Sequence, residues 1–282
     1  MRFHESRGPA LQWRAMTAFA GRKWISTGFF AVAVGLVPAL AGAQAPPPRQ
    51  SALAPENLAK PRPKAPFDLT GNWFIDNSPG IQGWLFGPAT IPKLTPNAQK
   101  HRDAYLQAIK DGKVYRDDIG QCWPAGVPII MTRVWPIAMI QLPTAIYMVS
   151  EFMNSLRTIF LDGRPHTDPD IVVRTFNGES VGRWEGDTLV VETKNFIDDE
   201  HHWVDQGVPA SGELKIVERI RLVNDGKQLE IAMTLTDPKS WEGEWKGVRR
   251  WNRVNDIDVE EVECRPDLNE HLQSTSSKVQ VR

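Results

Sequence analysis

The sequence predicts an all-β fold, an antiparallel barrel or a two-layer sandwich, with one helix near its start. Three observations carry that expectation. Short runs rich in β-branched and aromatic residues recur from Ile137 to Val262, turn chemistry separates them, and the gaps are too short for crossover helices, which leaves antiparallel pairing. Eight or more such strands in series must close on themselves or form two layers to hide their edges.

The chain opens with a basic leader ending in Arg22 and Lys23, followed by an apolar stretch from Trp24 to Leu40 that closes on Ala41-Gly42-Ala43. That order is a secretory signal peptide, residues 1–43, with cleavage expected after Ala43 or Ala45. Met16 opens a segment that already has the length and order of a standard signal. Ser26, Thr27, Gly28, Gly35 and Pro38 interrupt the apolar run, which falls short of the roughly 20 residues needed to span hydrocarbon. No transmembrane anchor is therefore expected after cleavage, and the location expected is periplasmic or secreted.

Residues 44–66 contain seven prolines and read as a solvated, polyproline-like spacer. The β domain is expected over 67–264, about 200 residues, a usual size for one barrel or sandwich. Its single helix spans about 95–111: Thr95 serves as N-cap, Pro96 suits the first helical position, Ala98, Tyr105, Leu106 and Ile109 recur at helical spacing, and Gly112 stops it. Strands are expected at Ile137–Leu142, Ile146–Met153, Leu156–Leu161, Ser180–Trp184, Thr188–Phe196, Leu214–Val223, Leu229–Thr236, Trp245–Arg253 and Ile257–Val262. Between them stand turns such as Asp162-Gly163-Arg164, Glu185-Gly186-Asp187 and Asn224-Asp225-Gly226-Lys227. The tail, 265–282, is polar and aperiodic, and is expected to be disordered.

Removing residues 1–43 takes away five of 33 basic and one of 34 acidic side chains, moving the formal charge from −1 to −5. That balance argues against a nucleic-acid partner. Cys122 and Cys264 remain, and in an oxidising compartment an even count favours one disulfide over two free thiols.

The run Gly182-Arg183-Trp184-Glu185-Gly186-Asp187-Thr188-Leu189-Val190-Val191, with Leu161 to His166, Glu218-Arg219, Asp237-Pro238 and Cys264, resembles a large group of secreted bacterial proteins of uncharacterised activity. The likeness covers most of the mature domain and implies the fold and export but no chemistry. This chain departs from the group's pattern at Glu179 and at Ala210, where histidines are usual. Gly71-Asn72-Trp73 at the start of the domain, with Arg249 or Arg250 on a late strand, is also similar to lipocalin-like barrels, in which a basic residue of the last strand closes over the first strand's Trp. A guanidinium capping an indole does so by stacking and hydrogen bonding.

Strand parity then nominates interior polar groups. On Leu214–Val223 one face reads Leu214, Ile216, Glu218, Ile220, Leu222, so Glu218 interrupts an apolar stripe. Two readings are open: a structural ion pair with Arg157, Arg183 or Arg249, or an acid/base group in a barrel pocket. Glu151 with Arg157 forms a second candidate pair, and His166 is a candidate proton shuttle or an exposed turn residue. Gly178-Glu179-Ser180-Val181-Gly182 has the spacing of a hydrolase nucleophile elbow but leads into a strand, not the helix such an elbow needs. His201-His202 among Asp198, Asp199, Glu200 and Asp205 lacks zinc-site spacing and reads as a solvated loop, so no metal is expected.

Nine tryptophans remain after cleavage, with Trp84, Trp123, Trp135, Trp203, Trp241 and Trp245 in or near expected loops. Such placement suggests an aromatic-lined cavity for a small apolar, aromatic or sugar-like molecule. The expected ligand contacts are Arg157, Arg183, Trp184, Trp135, Asp187 and Arg249, with Met side chains in the lining, and Glu218, Glu151 and His166 as the catalytic candidates if the barrel is an enzyme. Such an enzyme would be a lyase, isomerase or hydrolase without a cofactor. An interaction module with exterior tryptophans is the third reading.

Overall fold

The computed structural model describes residues 50–62, 67–77, 91–116 and 118–269. The leader at 1–43, parts of the spacer (44–49 and 63–66), Trp84 and the tail from 270 lie outside the described residues. Within the expected spacer one helical turn forms, α1 (Pro55–Leu58), with Pro55 at its first position. Asn57 is buried and its side-chain amide donates to the Ser51 carbonyl at 2.8 Å. Ala52 and Asn57 are buried, and most of the other residues of this piece are exposed.

The chain continues through β1 (Gly71–Ile75) and α2 (Pro96–Lys110), where the Thr95 hydroxyl accepts the Ala98 N–H at 3.4 Å. There follow β2 (Ile137–Gln141), β3 (Ala145–Ser150), β4 (Ser155–Phe160), β5 (Glu179–Glu185) and β6 (Thr188–Lys194). A short hairpin, β7 (Trp203–Asp205) and β8 (Val208–Pro209), precedes β9 (Lys215–Val223), β10 (Gln228–Thr236) and β11 (Trp245–Val254). Strands β3 and β6 stop short of their expected ends because Met153, Asn154 and Asn195 take positive φ.

Nine strands close into a barrel in the order β1-β11-β10-β9-β6-β5-β4-β3-β2, and β2 pairs with β1 to complete the ring. Pairing is antiparallel except at β4–β5, which run parallel through Ile159–Ser180 and Phe160–Val181. The expectation of antiparallel pairing throughout fails there because residues 161–178 give the chain enough length to cross back along the barrel. The ninth expected strand, Ile257–Val262, forms no ladder: both edges of β11 are already taken, by β10 and β1. It is instead an irregular strap, held where Asn154 donates to the Val262 carbonyl at 2.7 Å and accepts its N–H at 2.9 Å.

Inward-facing side chains fill the barrel. Ile137, Met139, Ile146, Met148, Ile220, Leu229, Ile231, Met233 and Trp251 all belong to one buried apolar cluster. At the end that carries the β9–β10 turn, the Arg253 guanidinium covers the Trp73 ring at 4.2 Å and donates to the Thr70 carbonyl at 2.6 Å. The indole–guanidinium lid expected of Arg249 or Arg250 thus exists, but Arg253 provides it. Gly71 (φ +149°) lies beneath it, and a Cβ there would push the Arg253 guanidinium aside, standing 2.4 Å from Nη1.

The opposite end, the mouth, is plugged by the 3₁₀ turn Ile129–Met131 and covered by α2 and the β7–β8 hairpin. Gly207 (φ +72°) lets that hairpin meet α2, because a Cβ would fall 2.6 Å from Tyr105 Cβ. The strap ends in a disulfide between Cys264 and Cys122, Cα–Cα 5.9 Å, which ties the C-terminal segment to the loop ahead of the plug. The bridge closes a loop across a sequence separation of 142. Replacing both cysteines with Ser is expected to lower the free energy of unfolding by roughly 2–5 kcal/mol, measured by urea denaturation. Stability equal to that of the oxidised parent would refute this.

Candidate functional site

The residues nominated by strand parity form a sealed network. Arg157 on β4 is 1% exposed and Glu218 on β9 is 0% exposed. Arg157 Nη1 donates to Glu218 Oε1 at 3.0 Å, and Nη2 donates to Oε2 to complete a two-pronged pair. Arg157 Nε also donates to Ser180 Oγ at 3.0 Å and Nη2 to Thr193 Oγ1 at 2.9 Å, while Ser180 Oγ and Thr193 Oγ1 lie 3.0 Å apart. Four of the five guanidinium N–H groups and both carboxylate oxygens are engaged, and neither side chain reaches solvent, so the pair reads as structural and the acid/base reading of Glu218 lacks access. Ser180 is absorbed into the same network, so the elbow spacing around it carries no nucleophile.

The other nominees are scattered. Glu151 accepts the Glu260 N–H at 3.3 Å beneath the strap, and it shares an exterior groove there with Trp135. Trp135 leans on Phe152, ring centroids 6.2 Å apart. His166 donates to Glu179 Oε2 at 3.1 Å on the outer wall. Glu179 also receives the Thr167 N–H and hydroxyl and the Asn195 amide. Burial opposes its charge, but these donors prevail and hold its carboxyl below the ordinary range. Arg183 pairs with Glu185 on the exposed surface, Asp187 sits in the exposed β5–β6 turn, and Trp184 meets Phe67 edge-on at 5.3 Å. Arg249, which does not take the lid role expected of it, is buried in mid-strand on β11.

A pocket of about 330 Å³ opens at the mouth, outside the filled barrel interior. Tyr105 and Ile109 come from α2, Tyr115, Arg116, Asp118 and Trp123 from the disulfide-tethered loop, Ile129 from the plug and Arg133 from just after it, and His201, Trp203 and Asp205 from the hairpin and its approach. Aromatic rings dominate it. Trp123 stacks on His201 with centroids 3.7 Å apart and planes 8° from parallel, and Tyr115 meets Trp203 edge-on at 6.1 Å. The Arg116 guanidinium lies over the Trp203 ring at 5.3 Å and pairs with Asp118 at 3.3 Å and Glu200 at 3.2 Å.

Two acid/base groups face this space. The His201 Nδ1–H donates to Asp199 Oδ1 at 2.7 Å, which turns Nε2 towards Asp118, 4.0 Å away. Asp205 is 7% exposed, and burial pushes its carboxyl up to about 6 although the Gln206 N–H and the Arg102, Arg133 and Arg249 charges favour ionisation. The neighbouring His202 is wholly buried against Phe176 and Phe196 and donates from Nε2 to the Val127 carbonyl at 3.2 Å. Burial drives its imidazole down to about 4, so it is a neutral clamp on the plug. Among the described residues, no group of three or more His, Cys, Asp or Glu side chains is placed to hold a metal ion.

The stretch 198–205, expected to be a solvated loop, is therefore a pocket wall. Its polarity hid it: the hairpin strands are three and two residues long, too short for an alternating pattern. The signal that was available is Trp203 beside the His pair. Neither the family models nor the curated proteins compared with the chain match it.

Two consequences can be measured. Glu218→Gln leaves Arg157 charged and under-compensated in the wall, and is expected to cost roughly 3–5 kcal/mol in urea unfolding, most of which the double variant Arg157→Met/Glu218→Leu recovers. A double variant no more stable than the single one would overturn that assignment. For His202, the folded value lies below the unfolded value near 6.5, so its contribution is present above 6.5 and is lost as pH falls towards 4. Between pH 7 and 4.5 the parent is expected to lose about 2–3 kcal/mol more than His202→Gln; parallel losses would contradict the shift.

Proposed function

We propose that this protein is an exported β-barrel that binds a small apolar, aromatic or sugar-like molecule in its mouth pocket, not in its interior. The observation that carries the reading is the ring-lined cavity of about 330 Å³ formed by Tyr105, Tyr115, Trp123 and Trp203, a size within the range of small-molecule sites. Polar side chains stand among the rings, as orientation of a ligand requires. Export to the periplasm or beyond is supported by the leader sequence and by the Cys122–Cys264 bridge, which suits an oxidising compartment. No helix of the described residues is long and apolar enough to cross a membrane. The Gly182–Val191 run and the Trp73–Arg253 lid support a place among secreted, lipocalin-like barrels.

One observation favours a second reading, a cofactor-free acid/base enzyme. His201 lines the pocket with Nδ1 held by Asp199 and Nε2 turned towards Asp118, the carboxylate-oriented imidazole of a general base. In that reading His201 and Asp205 replace Glu218, Glu151 and His166 as the working groups.

Native mass spectrometry of the mature protein taken from its export compartment is expected to find a bound small molecule. Trp203→Ala and Trp123→Ala are each expected to weaken its rebinding by about tenfold or more. Recovery of the molecule chemically unchanged after incubation favours the binder, and conversion that stops in His201→Gln favours the enzyme. A protein that carries nothing and rebinds nothing sinks both.

A further inference from the structure

A second cavity, of about 410 Å³, adjoins the mouth pocket and shares with it the Trp203 ring as a wall. Its other walls come from α2, where Asn97 and His101 stand one turn apart, from the segment ahead of β7, from the end of β8 and from the β10–β11 turn. One buried carboxylate joins two of these walls. Asp237 is 0% exposed and accepts the Ser211 N–H and hydroxyl, both at 2.7 Å, and the Lys239 N–H at 3.1 Å. The N-cap of α2 is tied to the same turn: the Thr95 hydroxyl donates to the Lys239 carbonyl at 2.9 Å, and the Thr95 N–H to the Ser240 carbonyl at 3.0 Å. The Asp237-Pro238 turn, to which the mouth pocket gives no task, thus frames this chamber. Walls fixed before a ligand arrives lower the cost of ordering them on binding.

The polar groups that line the chamber are mixed in kind. Ser240 is 3% exposed, borders the cavity, and its hydroxyl has no hydrogen-bond partner among the described residues. The Asn97 side-chain amide, on the exposed face of α2, likewise has none among them. Asp198 accepts the Gly212 N–H through Oδ1 at 3.2 Å and keeps Oδ2 4.0 Å from Lys239 Nζ. A carboxylate offers acceptors alone and an ammonium donors alone, whereas an amide and a hydroxyl offer both. An anion would meet Asp198 and a cation would meet Lys239, so the lining favours a neutral ligand whose oxygens both donate and accept.

We propose that this chamber is a second binding site, for a neutral polyhydroxylated ring of monosaccharide size, with its hydroxyls read by Asn97, Asp198 and Ser240 and its C–H face resting on Trp203. Each sugar hydroxyl is donor and acceptor at once, as the mixed lining requires. The indole supplies the apolar surface for the ring's C–H face. The cavity volume lies within the range of small-molecule sites. This site goes beyond the mouth-pocket reading and stands whatever that pocket holds.

The test uses the mature protein and the methyl glycosides of glucose, galactose and mannose, with cyclohexanol as a ring of similar size bearing a single hydroxyl. Binding is followed by calorimetry and by the indole N–H signals in NMR, the Trp203 signal being the one lost in Trp203→Phe. At least one glycoside is expected to bind, to shift the Trp203 signal and to bind about tenfold or more tightly than cyclohexanol. Asn97→Ala and Ser240→Ala, which border this cavity and not the mouth pocket, are each expected to weaken that glycoside by about tenfold. A glycoside that binds equally well to both variants sits elsewhere, which overturns the assignment while leaving the mouth-pocket reading intact. Cyclohexanol bound as tightly as the glycosides overturns the polyhydroxylated class. Absence of binding by all three glycosides at tens of millimolar overturns the site, and the mouth pocket is then judged by its own retained ligand.

Discussion

Closure of the ring is the constraint from which the other features follow. A cycle of nine strands cannot alternate in direction all the way round, so it must contain an odd number of parallel neighbours; here the number is one, at β4–β5. That pair spans two residue positions, the shortest ladder in the barrel. The Arg157–Glu218 network lies across it. Its members come from β4 (Arg157), β5 (Ser180), β6 (Thr193) and β9 (Glu218), four consecutive staves, so buried side-chain bonds supplement the place where backbone pairing is thinnest. A carboxylate that looks like chemistry in the sequence is, in three dimensions, a splice.

Closure also determines what the rest of the chain can do. With no free edge, the acidic segment after β11 has no ladder to join and runs as a strap fixed by Asn154 and the disulfide. The interior is filled by side chains and one end is capped by Arg253 over Trp73, while the ring-lined pocket opens at the other end, where loops leave the sheet. The long excursions between β1 and β2 and between β6 and β9 meet there, and their polar and aromatic side chains make the pocket.

Legibility in the sequence followed the range of the interaction. Local patterns gave the helix from Pro96, most strand positions and the burial of Glu218, because cap chemistry and two-residue alternation act over a few neighbours. Two cysteines sufficed for the bridge. What could not be read was convergence: Asp205 is brought to Arg102, Arg133 and Arg249 by four different elements, none of which carries a pattern announcing the others. Arg249 illustrates the point, because its strand was right and its task was not. One face of β11 carries both Arg249 in mid-strand and Arg253 at the lid, and sequence parity alone does not say which of them meets the Trp of β1.

The bond from Cys122 to Cys264 anchors the residue next to Trp123, whose ring stacks on His201 in the pocket wall. Wherever thiols are kept reduced, that anchor is missing and the wall is tied down at one end less. The order of that wall is in this way coupled to the redox state of the surroundings, through a covalent bond one residue away from the stacked ring.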